Sequence, residues 1–379
     1  MKKSTLRTVL GQPSWRMASN LVELYVTQTG GHLGPVTFRL LQRKVQPYHV
    51  APWAEEKGWQ KLPPILRALR GDFFCMPFGA NAKPWQGEQH TVHGETANAR
   101  WKCSALLNEG GTHCLHLQLH TKTRPGLVDK VIFLREDHTA IYCRHVLTGY
   151  SGPMSFGHHA MLRFPAAEGS GLISTSPFVW GQVFPEPFEN PAQGGYQCLK
   201  PGAKFTDLSR VPRLDGTMAD LSRYPARRGF EDLVMMVSDP KLPFAWTAVV
   251  FPEERYAWFA LKDPRVLRQT IFWISNGGRH YPPWNGRHVN VMGIEDVTSY
   301  FHLGLAESAA HNPLNRAGHA TVEKLCPKMP LIIPYIMGVV LIPKGFNHVK
   351  SIERVDGGIE LISANGKRAF AAVAMEFLD

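Results

Sequence analysis

The chain has 379 residues, of which 44% are hydrophobic and 19% charged, a balance typical of a globular protein and not of a disordered one. Its formal net charge is +11, but the charges are scattered without long basic runs, which argues against a nucleic-acid-binding protein. All-β sandwiches of this length often form one domain, so we expect residues 1–379 to be a single domain in which residues 1–19 are an N-terminal extension.

The six cysteines form no C-x-x-C pair, which favours free thiols in a reducing compartment. The chain begins with two lysines, like a signal peptide, but residues 11–16 interrupt any apolar core, so we expect no secretion signal. The most apolar stretch, residues 329–343, is interrupted by Pro330 and Pro334 and is shorter than the roughly 20 residues of a spanning helix. The sequence therefore predicts a cytoplasmic protein without a membrane segment.

Glycine (34 residues) and proline (29) recur throughout, and short β-branched and aromatic runs lie between them, which predicts an all-β fold with few short helices. Asn365-Gly366 is the strongest hairpin signal, and the prolines of residues 46–53 indicate an edge or bulged strand. In chain order, the predicted strands cover residues 21–26, 36–40, 46–53, 112–120, 131–135, 139–143, 247–251, 256–260, 359–362 and 369–377.

Residues 112–120 show the clearest strand alternation, in which three leucines alternate with His116, Gln118 and His120. These two histidines resemble metal ligands, but on a strand the positions i and i+4 lie too far apart. We therefore expect no metal site.

Helical signals are few. The sequence pattern predicts a short helix over residues 296–310, which ends at Asn312-Pro313. It also predicts one helical turn over residues 62–69, after two prolines. Residues 185–230 are rich in proline, glycine and arginine, and we expect a long excursion from the sheets over a binding face.

Four short segments combine polar residues with turn residues in a fixed order. An Arg-Gly precedes a Pro-Phe-Gly turn, a His-Gly follows, a Gly-x-His precedes a short apolar strand, and a Gly-Ile-Glu ends a strand. The four segments are residues 66–79, 93–101, 153–162 and 289–298. In this order they resemble the signature of the galactose mutarotase-like superfamily, and within it the aldose 1-epimerase family. Residues 30–36 and 341–345 resemble its opening hairpin and its closing Pro-x-Gly turn, so the resemblance runs from about residue 20 to the C-terminus.

The resemblance implies a β-supersandwich of two large antiparallel sheets with the site on a concave face. It implies an isomerase that interconverts the α and β anomers of a hexose or hexose phosphate, without cofactor or metal. Carried over by position, Glu295 would be the general base and His159 the general acid. His93 and Arg70 would contact the substrate, and Asp232 would hold sugar hydroxyls. We expect a small free or phosphorylated sugar as ligand, and a monomer or homodimer.

The chemistry of the implied reaction requires these residue types. Opening a hemiacetal ring needs a base on the anomeric hydroxyl and an acid on the ring oxygen, and the pKa of a carboxylate and of an imidazole can both be tuned to near 7. Each such group contributes roughly 10²–10⁴-fold to the rate. The planar fork of an arginine can bond two hydroxyls. Trp101, Phe156 and Trp284 are candidates for an aromatic face against the sugar.

Several alternatives remain open in the sequence. Three positions have a competitor: His158 beside His159, Arg67 one turn before Arg70, and Glu231 beside Asp232. Adjacent strand residues face opposite ways, so only one histidine can point into a cleft, and its place before the apolar strand favours the second. Asp296 stands where many relatives carry proline, and residues 160–162 read Ala-Met-Leu where Pro-Tyr-Phe is common. A non-catalytic sugar-binding protein, or a lyase or hydrolase on the same fold, is therefore the alternative.

Overall fold

Antiparallel β-strands are the predominant secondary structure in a computed structural model that describes residues 5–379. The all-β prediction is thereby confirmed. The first thirteen strands are β1 (Arg7–Val9), β2 (Gln12–Ala18), β3 (Val22–Thr27), β4 (Leu33–Leu40), β5 (Arg43–Val45), β6 (Phe74–Cys75), β7 (Lys102–Glu109), β8 (Thr112–Thr121), β9 (Gly126–Arg135), β10 (Ala140–Thr148), β11 (Gly152–Met154), β12 (Phe156–His158) and β13 (Ala160–Arg163).

The later strands are, in chain order, β14 (Gly171–Thr175), β15 (Phe178–Val183), β16 (Lys204–Phe205), β17 (Val211–Pro212), β18 (Met218–Ala219), β19 (Arg223–Tyr224), β20 (Phe230–Ser238), β21 (Ala245–Phe251), β22 (Tyr256–Lys262), β23 (Gln269–Asn276), β24 (Val291–Thr298), β25 (Glu323–Leu325), β26 (Leu331–Leu341), β27 (Val349–Val355), β28 (Gly358–Ser363) and β29 (Arg368–Ala372). The helices are α1 (Pro64–Ala68), α2 (Leu305–Ala309) and α3 (Pro313–Arg316), with 3₁₀ turns at Trp59–Lys61, Glu95–Ala97, Pro191–Gln193 and Met375–Phe377. None of the helices in the described part of the chain is long and apolar enough to cross a membrane.

Two large sheets form the sandwich. The strands of the nine-stranded sheet lie in the order β19-β14-β21-β22-β26-β10-β9-β8-β7. The eight-stranded sheet has the order β16-β15-β20-β23-β24-β12-β6, and β13 also pairs with β24. The N-terminal strands β1 to β5 form a smaller sheet of five strands, and the C-terminal strands β27 to β29 form one of three strands.

The strand β24 shows how the sandwich separates its two faces. Met292 and Ile294 point into the apolar core between the large sheets, where Trp258 and Phe272 also lie. Because side chains alternate along a strand, Gly293 and Glu295 project from the opposite face. That face carries a separate apolar cluster, which includes Phe73, Leu233 and Trp273, and it is the face on which the candidate site lies.

Some local predictions differ from the structure. Residues 296–298 continue β24 and only Leu305–Ala309 are helical, so the predicted helix over 296–310 begins too early. Residues 46–53 make isolated bridges and no regular strand, because their prolines lack the N–H that a ladder requires. The turn after β28 and the helix α1 are confirmed. Residues 7–9 and 12–18 of the expected N-terminal extension form β1 and β2, and β2 pairs with β3; residues 1–4 lie outside the described residues.

Candidate active site

A cavity of about 210 Å³ opens on the face of the eight-stranded sheet that points away from the nine-stranded sheet. Its wall is mostly apolar. Five polar side chains also line it: His93, His159, Arg279, Glu295 and His302. The cavity therefore brings together three histidines, one carboxyl group and one guanidinium group.

Glu295 and His159 are in direct contact at the bottom of this cavity. Glu295 Oε1 lies 3.2 Å from His159 Nε2, and the two side chains are only 2% and 5% exposed. The second atom of each group, Glu295 Oε2 and His159 Nδ1, has no hydrogen-bond partner within residues 5–379. The pair is therefore buried with one unsatisfied polar atom on each side.

The position of Glu295 depends on the register of β24 and on a neighbouring glycine. Glu295 pairs with Ile271 in β23, and on the other side of β24 the pairing with β13 reaches the preceding residue, Ile294. A Cβ atom on Gly293 would lie 2.7 Å from Glu295 Oε1 and 3.1 Å from the Cβ atom of Trp273. The absence of a side chain at this position therefore leaves the space that the carboxyl group occupies.

His159 lies in the one-residue break between β12 and β13. Its backbone N–H donates to the carbonyl oxygen of Phe73 at 2.9 Å, and its ring stacks on the Phe73 ring at 4.5 Å. His158 faces the opposite way, where its Nδ1 is 2.9 Å from Asp72 Oδ2 and its ring stacks on Tyr335 at 4.1 Å. The structure thus places His159, and not His158, in the cavity.

Burial moves the pKa values of the pair in opposite directions. Loss of water raises the pKa of Glu295 well above its ordinary value. The same loss of water, assisted by repulsion from His302, lowers the pKa of His159 to about 3. Both shifts favour the uncharged forms, a protonated carboxyl group on Glu295 and a neutral imidazole on His159.

His93 lies beside this pair and is held as a hydrogen-bond donor. Its ring centroid is 5.1 Å from that of His159 and 5.2 Å from that of His302. Its Nδ1 accepts a hydrogen bond from the backbone N–H of Gly79 at 3.3 Å, and burial lowers its pKa well below the ordinary value. A neutral imidazole that accepts at Nδ1 carries its proton on Nε2, which is then available to donate to a ligand.

Arg279 and His302 complete the polar lining, and no sequence pattern had singled them out. The guanidinium group of Arg279 lies 4.8 Å from the Trp284 ring and 5.4 Å from the Trp273 ring, and its Nε donates to Glu189 Oε1 at 2.6 Å. Both residues stand in loops that follow strands of the eight-stranded sheet. A polar residue soon after a sheet strand is the only signal that could have indicated them, and many residues of this chain share it.

Comparison with solved structures identifies the fold. A candidate aldose 1-epimerase from Escherichia coli K12 is similar with a TM-score of 0.59 at 13% identity, over 88% of this chain and 100% of that chain. A galactose mutarotase-like protein from Clostridium acetobutylicum (TM-score 0.55, 11% identity, 89% and 98% coverage) and a galactose mutarotase related enzyme from Lactobacillus acidophilus (0.54, 11%, 86% and 97%) are also similar. The chain has the galactose mutarotase-like fold. No family model and no curated protein matches it by sequence.

Within this galactose mutarotase-like fold, Arg70 lies away from the cavity. Its side chain is completely buried, and its guanidinium group donates to the carbonyl oxygens of Ala68, Val9 and Leu10, the last at 2.8 Å. Its competitor Arg67 does not line the cavity either. Arg70 connects the N-terminal sheet to the end of α1 and is not placed to contact a ligand at Glu295.

Asp232 also projects away from the Glu295 cavity. Its carboxylate accepts hydrogen bonds from the backbone N–H groups of Cys198 and Leu199 and lines a different cavity. Glu231 faces the cavity side, where it accepts from Trp273 Nε1 at 3.0 Å and from Ser275 Oγ at 2.8 Å. Burial raises the pKa of Glu231 to about 8. Between the two alternatives, Glu231 is therefore the one that supports the cavity wall, through Trp273.

Of the aromatic candidates, only Trp284 lines the cavity of this fold. Trp101 donates its indole N–H to the carbonyl oxygen of Thr96, and Phe156 lies in the core between the sheets. Trp273 also lines the cavity, although no sequence pattern indicated it. No group of three or more metal-binding side chains is arranged around a common point within residues 5–379.

Proposed function

We propose that this protein is an aldose 1-epimerase, which interconverts the α and β anomers of a sugar of hexose size by general acid/base catalysis. The observation that carries the proposal is the buried contact of 3.2 Å between Glu295 and His159 in a cavity of the eight-stranded sheet. The fold supports it, since structurally similar proteins are named as mutarotase-like proteins or candidate epimerases.

The proposed reaction needs two proton transfers. Glu295 takes the proton of the anomeric hydroxyl while His159 gives a proton to the ring oxygen. The bond between the anomeric carbon and the ring oxygen breaks, its electron pair goes to the ring oxygen, and the anomeric carbon becomes a carbonyl. Rotation about the adjacent carbon–carbon bond presents the other face, and the reverse transfers close the ring. No proton is gained or lost overall.

The single proton of the pair suits this cycle. Without sugar the proton is on Glu295, because burial raises the pKa of the carboxyl group and lowers that of the imidazole. Sugar hydroxyls that donate to the carboxylate stabilise its ionised form, so substrate binding favours transfer of the proton across the 3.2 Å contact to His159. The pair then has the base and the acid that ring opening requires, without a proton from solvent.

The remaining polar side chains would hold the sugar. His93 donates from Nε2, and the guanidinium N–H groups of Arg279 that are not engaged with Glu189 can bond two neighbouring oxygens. Trp273 and Trp284 offer flat apolar faces to the C–H groups of a sugar ring. Glu231 is a positioning residue, because its bond to the indole N–H fixes the Trp273 ring.

Proton NMR of freshly dissolved pure anomers tests the proposal. Anomer exchange is followed for glucose, galactose, glucose 6-phosphate and their deoxygenated counterparts, with and without protein. We expect Glu295→Gln to reduce the enzymatic rate by about 10²–10⁴-fold. Glu253→Gln, which changes an exposed carboxylate in a turn, is the matched control and is expected to retain full activity. No acceleration of any sugar by folded protein would overturn the proposal.

A further inference from the structure

One wall of the Glu295 cavity is entirely aliphatic. Residues 63–69, which include α1, contribute Ile65, Leu66 and Leu69 to it, and this segment places no polar side chain in the cavity. The aromatic rings of Phe188 and Trp284 form other parts of the wall. A sugar carbon that faces α1 therefore meets methyl groups and no hydrogen-bonding side chain.

The cavity is also poor in hydrogen-bond acceptors. The Glu189 carboxylate already accepts from Arg279 Nε at 2.6 Å and from the Tyr281 hydroxyl at 3.3 Å. The Glu231 carboxylate, behind the cavity wall, is bonded to Trp273 Nε1 and Ser275. Of the carboxyl groups around the cavity in the described part of the chain, only Glu295 has an oxygen without a partner.

Each sugar hydroxyl carries an O–H that must donate when it is buried. In the proposed reaction the Glu295 carboxyl group accepts from the anomeric hydroxyl, and a neutral His302 imidazole accepts at most one more such bond. A hexose has four hydroxyls besides the anomeric one, and those turned toward the aliphatic wall would remain unpaired. A buried polar group without a partner reduces affinity.

The charge balance of the cavity also disfavours a phosphorylated sugar. Arg279 is the one Lys or Arg among the lining residues, and it is already neutralised by Glu189, with their side chains only 16% and 6% exposed. A phosphate group would bring about two negative charges at pH 7. The lining offers no second permanent cation to balance them.

We infer that the substrate is a deoxysugar, in which a methyl or methylene group replaces at least one hydroxylated carbon and lies against the wall formed by residues 63–69. This inference rests on the proposed function and narrows its substrate class. A hydrophobic wall selects against an added hydroxyl by roughly 10²-fold at most. We therefore expect kcat/KM to favour the deoxygenated sugar by about 10- to 100-fold.

Matched pairs of sugars that differ by one oxygen test this inference. The pairs are 6-deoxy-D-glucose with D-glucose, 6-deoxy-L-galactose with L-galactose, 6-deoxy-L-mannose with L-mannose, and 2-deoxy-D-glucose with D-glucose. Anomer exchange is measured by proton NMR with the wild-type protein. Binding of the same sugars is measured by calorimetry with both the wild-type protein and Glu295→Gln.

Two substitutions of Leu66 test the role of the wall. Leu66→Asn keeps the branching and the number of side-chain heavy atoms but adds a donor and an acceptor, and it is expected to reduce the preference to less than about threefold. Leu66→Met keeps the wall apolar and is expected to retain the preference. Circular dichroism verifies that both variants are folded.

The outcomes separate this inference from the proposed function. A preference for the deoxygenated sugar in at least one pair supports the inference. Turnover without such a preference in any pair overturns the inference while the proposed function stands. Absence of turnover together with a deoxysugar preference in binding overturns the proposed function and leaves the ligand class supported. Absence of binding to every sugar overturns both.

Discussion

Two adjacent acidic residues on β24 have opposite surroundings. Asp296 faces the interior between the large sheets, where it contacts Lys262 Nζ at 2.6 Å and accepts from the hydroxyls of Tyr335 and Thr270. Glu295 faces the cavity, contacts only a neutral imidazole and leaves one oxygen without a partner. Both side chains are nearly inaccessible to solvent. The interior face neutralises its charge within the protein, whereas the cavity face leaves its acid/base group open to a ligand.

The two adjacent histidines are divided between the same two faces. His158 lies on the interior face and bonds to Asp72, while His159 lies on the cavity face and contacts Glu295. Residues on the interior face should therefore affect stability when they are changed, and residues on the cavity face should affect activity.

The largest expected effect is on stability. Asp296→Asn leaves Lys262 buried without its carboxylate, and loss of one partner of a buried ion pair costs about 3–5 kcal/mol of unfolding free energy. Glu295→Gln removes no ion pair with a Lys or Arg and should change this free energy much less at pH 6. Urea unfolding of the two variants measures the difference. Equal losses would contradict the division of roles between the two faces.

Gly293→Ala is expected to reduce activity while Glu295 remains present. The new Cβ would lie 2.7 Å from Glu295 Oε1, so the carboxyl group must move. A displacement of about 1 Å in a catalytic group can reduce the rate by roughly 10²-fold. Anomer-exchange rates measure the loss. Gly366 lies in a turn with open space around it but at a φ of 82°, where alanine is strained, so Gly366→Ala is the control that should lower stability and retain activity. An active Gly293→Ala would show that the carboxyl position is not critical.

The pH dependence of stability distinguishes the shared proton from two independent groups. Between about pH 4.5 and 6.5, Glu295 and His159 together bind one proton in the folded protein and one in the unfolded chain. The proton is on Glu295 in the folded protein and on the histidine in the unfolded chain. Above pH 6.5 only the folded state retains the proton, so the contribution of the pair to stability falls as pH rises. Below pH 4.5 the unfolded chain binds a second proton, so the contribution falls again as pH falls.

Removal of the Glu295 carboxyl group makes the dependence of stability on this proton measurable. Because the pKa of Glu295 is raised in the folded state, its contribution to stability declines above pH 4.5, until the pH reaches that raised pKa. Relative to wild type, the free energy of unfolding of Glu295→Gln should therefore rise by up to about 1.4 kcal/mol per pH unit over this range. Urea unfolding at pH 5, 6 and 7 measures the difference. A difference independent of pH would show that Glu295 is ionised in the folded protein.

The smallest expected effect separates two arginines. Arg279→Lys keeps a positive charge near Glu189 but loses the planar fork, and we expect KM to rise by up to about tenfold with a smaller change in kcat. Arg70→Lys loses bonds to backbone carbonyls and should lower stability by about 1–3 kcal/mol with KM unchanged. Steady-state kinetics and urea unfolding of both variants measure these effects. A raised KM in Arg70→Lys alone would restore Arg70 as the ligand-contacting arginine.

The amino-acid sequence by itself determined the all-β class and the residues that meet in the cavity from three distant segments: Glu295, His159 and His93. It could do so because strand alternation and turn residues are local properties, and because the resemblance rests on short motifs in a fixed order. It also selected His159 over His158, because only one of two neighbours on an extended backbone can face a cleft and the resemblance favours the second.

Only the tertiary structure decided which of two opposite faces holds the cavity and which loops fold over it. Alternation shows that Glu231 and Asp232 diverge, but not which of them faces the site, because this depends on the packing of β20 against β23 and on residues 198–199. Arg279 and His302 reach the cavity through loops, and Arg70 is held by carbonyls about 60 residues earlier in the chain. Such contacts join residues that are distant in sequence, and no local pattern encodes them.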